Sequence, residues 1–278
     1  MAIKITSDST CDLSPELLER YNISTIPLCV NLGEQCYFDG ANIVPTDIFD
    51  YVSKTGQLPT TSAINISTYL DFFQPLAQEY EAVIHINLGS GFSSCHQNAR
   101  LAAEEMDNVY VVDSENLSTG QGLMVVEAAI AAQRGDKAED IVAMLRDLTP
   151  RIDTSFVVDK LDYLVKGGRC SSAAALGANL LNLKPCILLA DGKMGVGKKY
   201  RGNWAKVLPG YAKDRLEGKD ICKDRVFITC TSCPPEVIAE LRSYLEGLGF
   251  REVLETIAGS TITSHCGPNC LGVLFIRN

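Results

Sequence analysis

Short apolar runs alternate with amphipathic stretches along most of this chain. Ala2 to Ile5 forms a brief β-like run that stops at Thr6-Ser7-Asp8-Ser9-Thr10. Ser14-Pro15-Glu16-Leu17 supplies an N-cap residue, a proline at the first helical position and an acid in the first turn, which predicts a helix to about Tyr21. Ile26 to Val30 reads as the next strand, so the opening is β-α-β. Ser67 to Tyr80 is amphipathic and Ala82 to Asn87 is a buried strand. Ser93 to Glu105 reads as helix, Val109 to Val112 as strand and Gly120 to Gln133 as helix. Strands alternating with helices predict a largely parallel sheet covered on both faces, with ligand loops at the carboxyl ends of its strands.

Asp136 to Thr149 is a charged amphipathic helix, and the texture changes after Pro150. Thr154 to Asp159 reads as a strand and Leu161 to Val165 as a short helix. Lys166-Gly167-Gly168-Arg169 and a small-residue helix through about Leu181 follow. Lys184 to Ala190 and Lys193 to Tyr200 form an expected antiparallel pair joined at Asp191-Gly192, a hairpin-turn dipeptide. Helix, strand, helix, strand and a final strand from Gly272 to Ile276 complete the pattern. The reading is an α/β chain of two α/β domains, residues 1–150 and 151–278. The first holds a largely parallel sheet covered by helices and the second a mixed sheet.

Composition narrows the function classes. The 278 residues carry 34 acidic and 25 basic side chains, a formal net charge of −9, and 46% of them are hydrophobic. So acidic a surface repels nucleic acid and anionic lipid, which argues against nucleic-acid binding and leaves at most transient membrane contact. No run approaches the roughly 20 apolar residues of a spanning helix. The first residues lack the apolar core and cleavage site of a signal peptide, so a cytoplasmic location is expected. Without an export signal, the 11 cysteines are expected to be reduced thiols, many of them buried. Cys230, Cys233, Cys266 and Cys270 form the only close pairs; a thiol or zinc sensor built on them is a weaker alternative.

Candidate chemistry collects in polar clusters at loops and strand ends. Gly89-Ser90-Gly91-Phe92-Ser93-Ser94 follows a buried strand and precedes a helix. Its glycines permit close backbone approach, and a helix N-terminus offers free N–H groups and partial positive charge to a carboxylate or phosphate. Capping of that helix by Ser93 is an equal reading. The loop matches neither G-x-x-x-x-G-K-S/T, nor G-x-G-x-x-G, nor G-x-S-x-G. His85 falls in an apolar strand and His96 in a helix, both ordinary packing positions. His265 sits in a Gly/Ser/Thr loop where an imidazole can donate a hydrogen bond to an anion. Arg169, and Arg201 beside Lys198 and Lys199, form a basic contrast in an acidic chain, suited to phosphate or an acidic partner surface.

These clusters, in this order, resemble the DegV family of bacterial lipid-binding proteins. The matching strings are Ser7-Asp8-Ser9-Thr10-Cys11-Asp12-Leu13, Pro59-Thr60-Thr61-Ser62, Gly89 to Ala99, Val112-Asp113-Ser114, Leu161-Asp162-Tyr163-Leu164-Val165-Lys166-Gly167-Gly168-Arg169 with Leu183-Lys184-Pro185, and Gly259-Ser260 through His265 to Gly267-Pro268. They span nearly the whole chain. The resemblance implies a fatty acid in a tunnel between or within the two domains. Its carboxylate would be held by Thr61 and Ser93, with help from Ser62, Ser94 and His265. Arg169 and Arg201 would engage a partner or the transferred phosphoryl group. The implied partner is an ATP-dependent fatty acid kinase that makes an acyl phosphate for phospholipid synthesis. On this reading the chain is a carrier without a cofactor or catalytic residue of its own, and ATP and Mg belong to the kinase. The competing reading is an acyl hydrolase or transferase using Ser93 as nucleophile and His265 as base.

Overall fold

The computed structural model describes residues 2–174 and 183–278. The first half runs β1 (Ile3–Asp8), α1 (Pro15–Arg20), β2 (Ser24–Ile26), β3 (Cys29–Leu32), β4 (Gln35–Phe38), α2 (Pro45–Thr55), β5 (Thr60–Ser62), α3 (Ile66–Glu79), β6 (Ala82–Asn87), α4 (Cys95–Ala103), β7 (Val109–Asp113), α5 (Ser118–Arg134) and α6 (Ala138–Leu148). The second continues with β8 (Ile152–Val158), α7 (Asp162–Gly167), α8 (Ser171–Ala174), β9 (Leu183–Ala190), β10 (Lys193–Arg201), α9 (Trp204–Leu216), β11 (Ile221–Cys230), α10 (Pro235–Gly247), β12 (Glu252–Ile257), α11 (Ser260–Cys266) and β13 (Cys270–Arg277). The expected small-residue helix is present as α8; its continuation to Leu181 lies outside the described residues.

The first sheet has the order β2-β1-β6-β7 and is parallel throughout. Side chains along a strand alternate between faces, and β6 shows the consequence. Ile84 and Ile86 pack with Leu123, Met124 and Ile141 of α5 and α6, whereas His85 packs edge-on against Phe73 of α3. Helices therefore cover both faces, as the continuous apolar runs imply. Burial holds the His85 ring neutral, with its pKa lowered to about 3. It is a core residue, hydrogen-bonded to Thr6 Oγ1 at 2.9 Å.

The second sheet has the order β10-β9-β8-β13-β11-β12, with β11–β12 parallel and every other pairing antiparallel. Asp191 and Gly192 both take positive φ, 49° and 66°, the backbone a two-residue hairpin turn of this hand requires. The expected hairpin is thus present.

Two expectations need correction. The strand read over Ile26–Val30 is two strands in different sheets, because Pro27 lacks the N–H that a continuing ladder needs. β3 belongs instead to a small antiparallel sheet, β4-β3-β5, that the pattern did not announce. The cysteines are not all free thiols: Cys29 and Cys36, across β3 and β4, form a disulfide, while the other nine are unpaired.

Candidate functional site

The Ser7–Leu13 string builds the scaffold of the site. Asp8, fully buried at the carboxyl end of β1, accepts the N–H of Leu88 at 2.7 Å and so fixes the start of the glycine loop after β6. Asp12 takes a left-handed turn and accepts the N–H of Gly259 at 2.8 Å, with Ser118 Oγ donating to its other oxygen at 2.5 Å. Asp39 accepts the N–H of Ser260 at 2.7 Å. Two carboxylates from the first half thus grip the N-terminus of α11, the helix that carries His265, where orphan N–H groups and the helix dipole favour negative charge. Burial pushes both Asp8 and Asp12 above the ordinary carboxyl range. None of this is visible locally, since Asp12 and Gly259 lie 247 residues apart.

These anchors shape a cavity of about 230 Å³. Thr61, Ser62, Ser93, Ser94, Arg169 and His265 all line it. Arg201 does not; it lies in an open depression with Asp159, Lys184 and Trp204. Lys198, from the same basic group, is ion-paired with Asp214 at 2.5 Å. The cavity floor is apolar: Leu28, Leu88, Phe92, Leu117, Met194 and Ile262. Thr61 is placed by β5, where it pairs with Val30 of β3, so the small sheet exists at the site as one of its walls. The hairpin turn packs on the glycine loop, where a Cβ on Gly91 would strike the Gly192 carbonyl, and β10 contributes Met194 to the lining.

Within the cavity His265 Nε2 and Thr61 Oγ1 are hydrogen-bonded at 2.8 Å. His265 Nδ1 is buried without a partner. Burial, and then the Arg169 guanidinium, lower the His265 pKa to about 4. The ring is therefore neutral near pH 7, and the stability of that neutral form, present above the ordinary value near 6.5, is lost as pH falls through about 4. Ser93 Oγ accepts the Cys95 N–H at 3.2 Å and donates to Cys95 Sγ at 3.2 Å, so it bonds to the first turn of α4 while the residue lines the cavity. Arg169 donates to the Gly167 carbonyl at 2.7 Å and stays exposed at the rim. The arrangement offers hydroxyls and a cationic rim above an apolar floor, a match for an amphiphile with one anionic end.

Beneath the floor a second, narrow apolar space of about 20 Å³ shares Leu117, Ile262 and Cys266 with the first and continues to Cys230, Cys270 and Leu274. It lies against the mixed sheet, on β8, β11 and β13, under α11 and the start of α5. Sequence reasoning did not name Ile262, although its position on α11 three residues before His265 puts the two side chains on one face. Among the described residues no group of three or more His, Cys, Asp or Glu side chains is arranged to hold a metal ion. Among the same residues no helix is long and apolar enough to cross a membrane.

Comparison with known proteins decides the family. The model of the family described as uncharacterised protein, DegV family, matches residues 2–278. The chain belongs to the DegV family. It is 36% identical over 280 residues to Protein DegV of Bacillus subtilis, covering 98% of each chain. A DegV family protein from Thermus thermophilus, whose structure is described as showing fatty acid binding, superposes with a TM-score of 0.89 at 31% identity over 100% of both chains. A stearic-acid-binding protein from Eubacterium ventriosum superposes with a TM-score of 0.84 at 26% identity, covering 99% of this chain and 98% of the other. These two proteins, each described as binding a fatty acid, share this α/β architecture.

Gly167 is the residue that gives His265 its room. A Cβ there would lie 2.5 Å from His265 Nδ1. Gly167→Ala is expected to rotate the ring off Thr61 and to cost about 1.5 kcal/mol of stability, the worth of one buried hydrogen bond, while the fold persists. Thermal unfolding checks this; an unchanged Tm would show that the ring position is immaterial.

Proposed function

We propose that this chain binds a long-chain fatty acid and presents its carboxylate to a partner ATP-dependent kinase, which converts it to an acyl phosphate for phospholipid synthesis. The observation that carries the binding half is the coupling of one polar mouth, Thr61, Ser93 and His265, to an apolar floor that continues under α11 against the mixed sheet. Thr61 and Ser93 would hold the carboxylate, with Ser62, Ser94 and His265 beside them. The tail would follow the narrow continuation past Ile262 and widen it. We further propose that the two units divide near Pro150, so that this passage runs along their junction. Related DegV structures that bind fatty acids support the same reading.

The kinase half rests on the resemblance carried by the Leu161–Arg169 string. Arg169 stands at the mouth, where a guanidinium suits a phosphoryl group or an acidic partner face. Arg201, in its own depression, is assigned to the partner's surface alone. The chain itself is a carrier of cytoplasmic location, and ATP and Mg sit on the kinase.

Burying a 16-carbon tail removes about 15 CH2 or CH3 groups from water, about 12 kcal/mol gross at 0.8 each. Ordering of the chain and lost translational freedom offset several kcal/mol of that. The tail therefore supplies affinity and the carboxylate contacts supply orientation. Thr61→Ala and Ser93→Ala are each expected to lower acyl phosphate formation, in a reconstituted reaction with kinase and ATP, by about tenfold more than they lower retained lipid. Equal loss of both quantities would contradict this division of labour. The hydrolase alternative is disfavoured by one observation: the His265 hydrogen bond goes to Thr61, while Ser93 bonds to Cys95.

A further inference from the structure

The helix α11 carries four buried hydroxyl side chains, and three of them have partners. Ser260 Oγ donates to the Ile43 carbonyl at 3.3 Å, Thr263 Oγ1 to the Ala258 carbonyl at 3.2 Å and Ser264 Oγ to the Ser260 carbonyl at 2.7 Å. Thr261 is the fourth. It is 3% exposed, and among the described residues its Oγ1 has no hydrogen-bond partner. Buried hydroxyls are nearly always paired, because an unpaired one has lost its hydration with no replacement.

Thr261 lines the mouth cavity. It precedes His265 by four residues, so the two side chains stand on one face of the helix, about 5–6 Å apart. Ile262 and Cys266 line both the mouth and the narrow continuation, whereas Thr261 lines the mouth alone. Its Oγ1 is sealed from solvent, and one step about χ1 exchanges the oxygen with the methyl group without moving the backbone. The other unpartnered polar atom of the cavity wall, His265 Nδ1, packs on Gly167 instead.

We propose that the mouth accepts fatty acids that carry a hydroxyl group close to the carboxylate, with Thr261 Oγ1 as its hydrogen-bond partner. The inference rests on the fatty acid reading of this cavity. A carboxylate accepts about four hydrogen bonds, and Thr61, Ser62, Ser93, Ser94 and His265 line the cavity to supply them without Thr261. With the carboxylate held there, the spacing along α11 sets Thr261 beside the first few carbons of the chain. A plain acyl chain offers only CH2 groups at that point and leaves Oγ1 unpaired. A 3-hydroxyl group both donates and accepts, as Oγ1 does, so each satisfies the other. A site that pairs a ligand hydroxyl in this way separates the hydroxylated chain from the plain one.

The test titrates full-length protein, freed of lipid, with hexadecanoic and 3-hydroxyhexadecanoic acid in a calorimeter. Wild type is expected to bind the 3-hydroxy acid at least as tightly as the plain acid. Thr261→Val keeps the shape and removes the hydroxyl. It should weaken the 3-hydroxy acid about tenfold, the worth of one hydrogen bond, and leave the plain acid unchanged. Thr261→Ser, which keeps the hydroxyl, should retain the wild-type ratio. Without ligand, Thr261→Val should melt no lower than wild type, since it removes an unpaired polar group; a clear fall in Tm would mean that Oγ1 already has a partner and would overturn the inference. The same ratio of affinities in wild type and Thr261→Val, with hexadecanoic acid still bound, would overturn it alone. A wild type that binds neither acid would overturn the carrier reading as well.

Discussion

Ile262→Trp is expected to abolish retention of long-chain fatty acids while leaving short-chain acids bound. Ile262 lies at the throat between the mouth cavity and the narrow continuation, lines both, and is 9% exposed. An indole there fills the passage. If the site then accepts only half of a 16-carbon tail, about eight CH2 groups stay in water, about 6 kcal/mol at 0.8 each or roughly a 10⁴-fold loss. An eight-carbon acid would reach the throat and stop, so its affinity should change little. Overpacking costs about 1–3 kcal/mol of stability, which thermal unfolding would report separately. Ile262→Ala, which opens the throat, should bind the long acid at least as well as it binds the short one. Full affinity of a folded Ile262→Trp protein for the long acid would mean that the tail takes another route.

Gly120→Ala is expected to be the most damaging single-methyl addition to the fold. Gly120 lies in the first turn of α5, and a Cβ there would fall well inside contact distance of Asn116 Oδ1 and Thr154 Oγ1. Those two atoms are themselves hydrogen-bonded at 2.7 Å, and both residues are buried. The pair ties the loop after β7 to β8, and so joins the parallel sheet to the mixed one. Forcing it apart strands two buried polar groups at about 1–3 kcal/mol each, and overpacking adds to that. A loss of about 4 kcal/mol lowers Tm by about 10 °C in a chain of this size. Gly210→Ala provides the opposite case. Gly210 is inside α9 with nothing within 4 Å of its added Cβ, so alanine should stabilise by a few tenths to 1 kcal/mol through helix propensity and reduced unfolded-state freedom. If the two variants melt together, the close approach at Gly120 is not what holds the sheets in register.

The parts of this molecule that were legible from sequence are those governed by local periodicity. The apolar run Ala82–Asn87, the alternation of strands and helices around it, and the Asp191-Gly192 hairpin all depend on near neighbours and appear where expected. The three-stranded sheet escaped because its strands are three or four residues long and mostly polar or exposed, which leaves no period to read. The strand read through Pro27 failed for the reason prolines usually interrupt ladders. The Cys29–Cys36 disulfide joins cysteines seven positions apart that only the β3–β4 pairing brings together.

At the site, residue types and order pointed to Thr61, Ser93, Arg169 and His265, and the fold brings them around one cavity. What sequence did not reveal was the means of placement. Asp12 and Asp39 reach α11 across separations of 247 and 221 residues, and Gly167 matters only because His265 packs on it from the far end of the chain. Lys198, grouped by composition with Arg201 as a free basic patch, is neutralised by Asp214 sixteen residues later.

Mass spectrometry of the organic extract from freshly purified protein tests whether this chain carries a long-chain fatty acid. The expected extract holds a long-chain fatty acid in stoichiometric amount, lost from Ile262→Trp protein purified in parallel. Extracts holding no fatty acid from either protein, with no uptake when long-chain acids are added back, would contradict it.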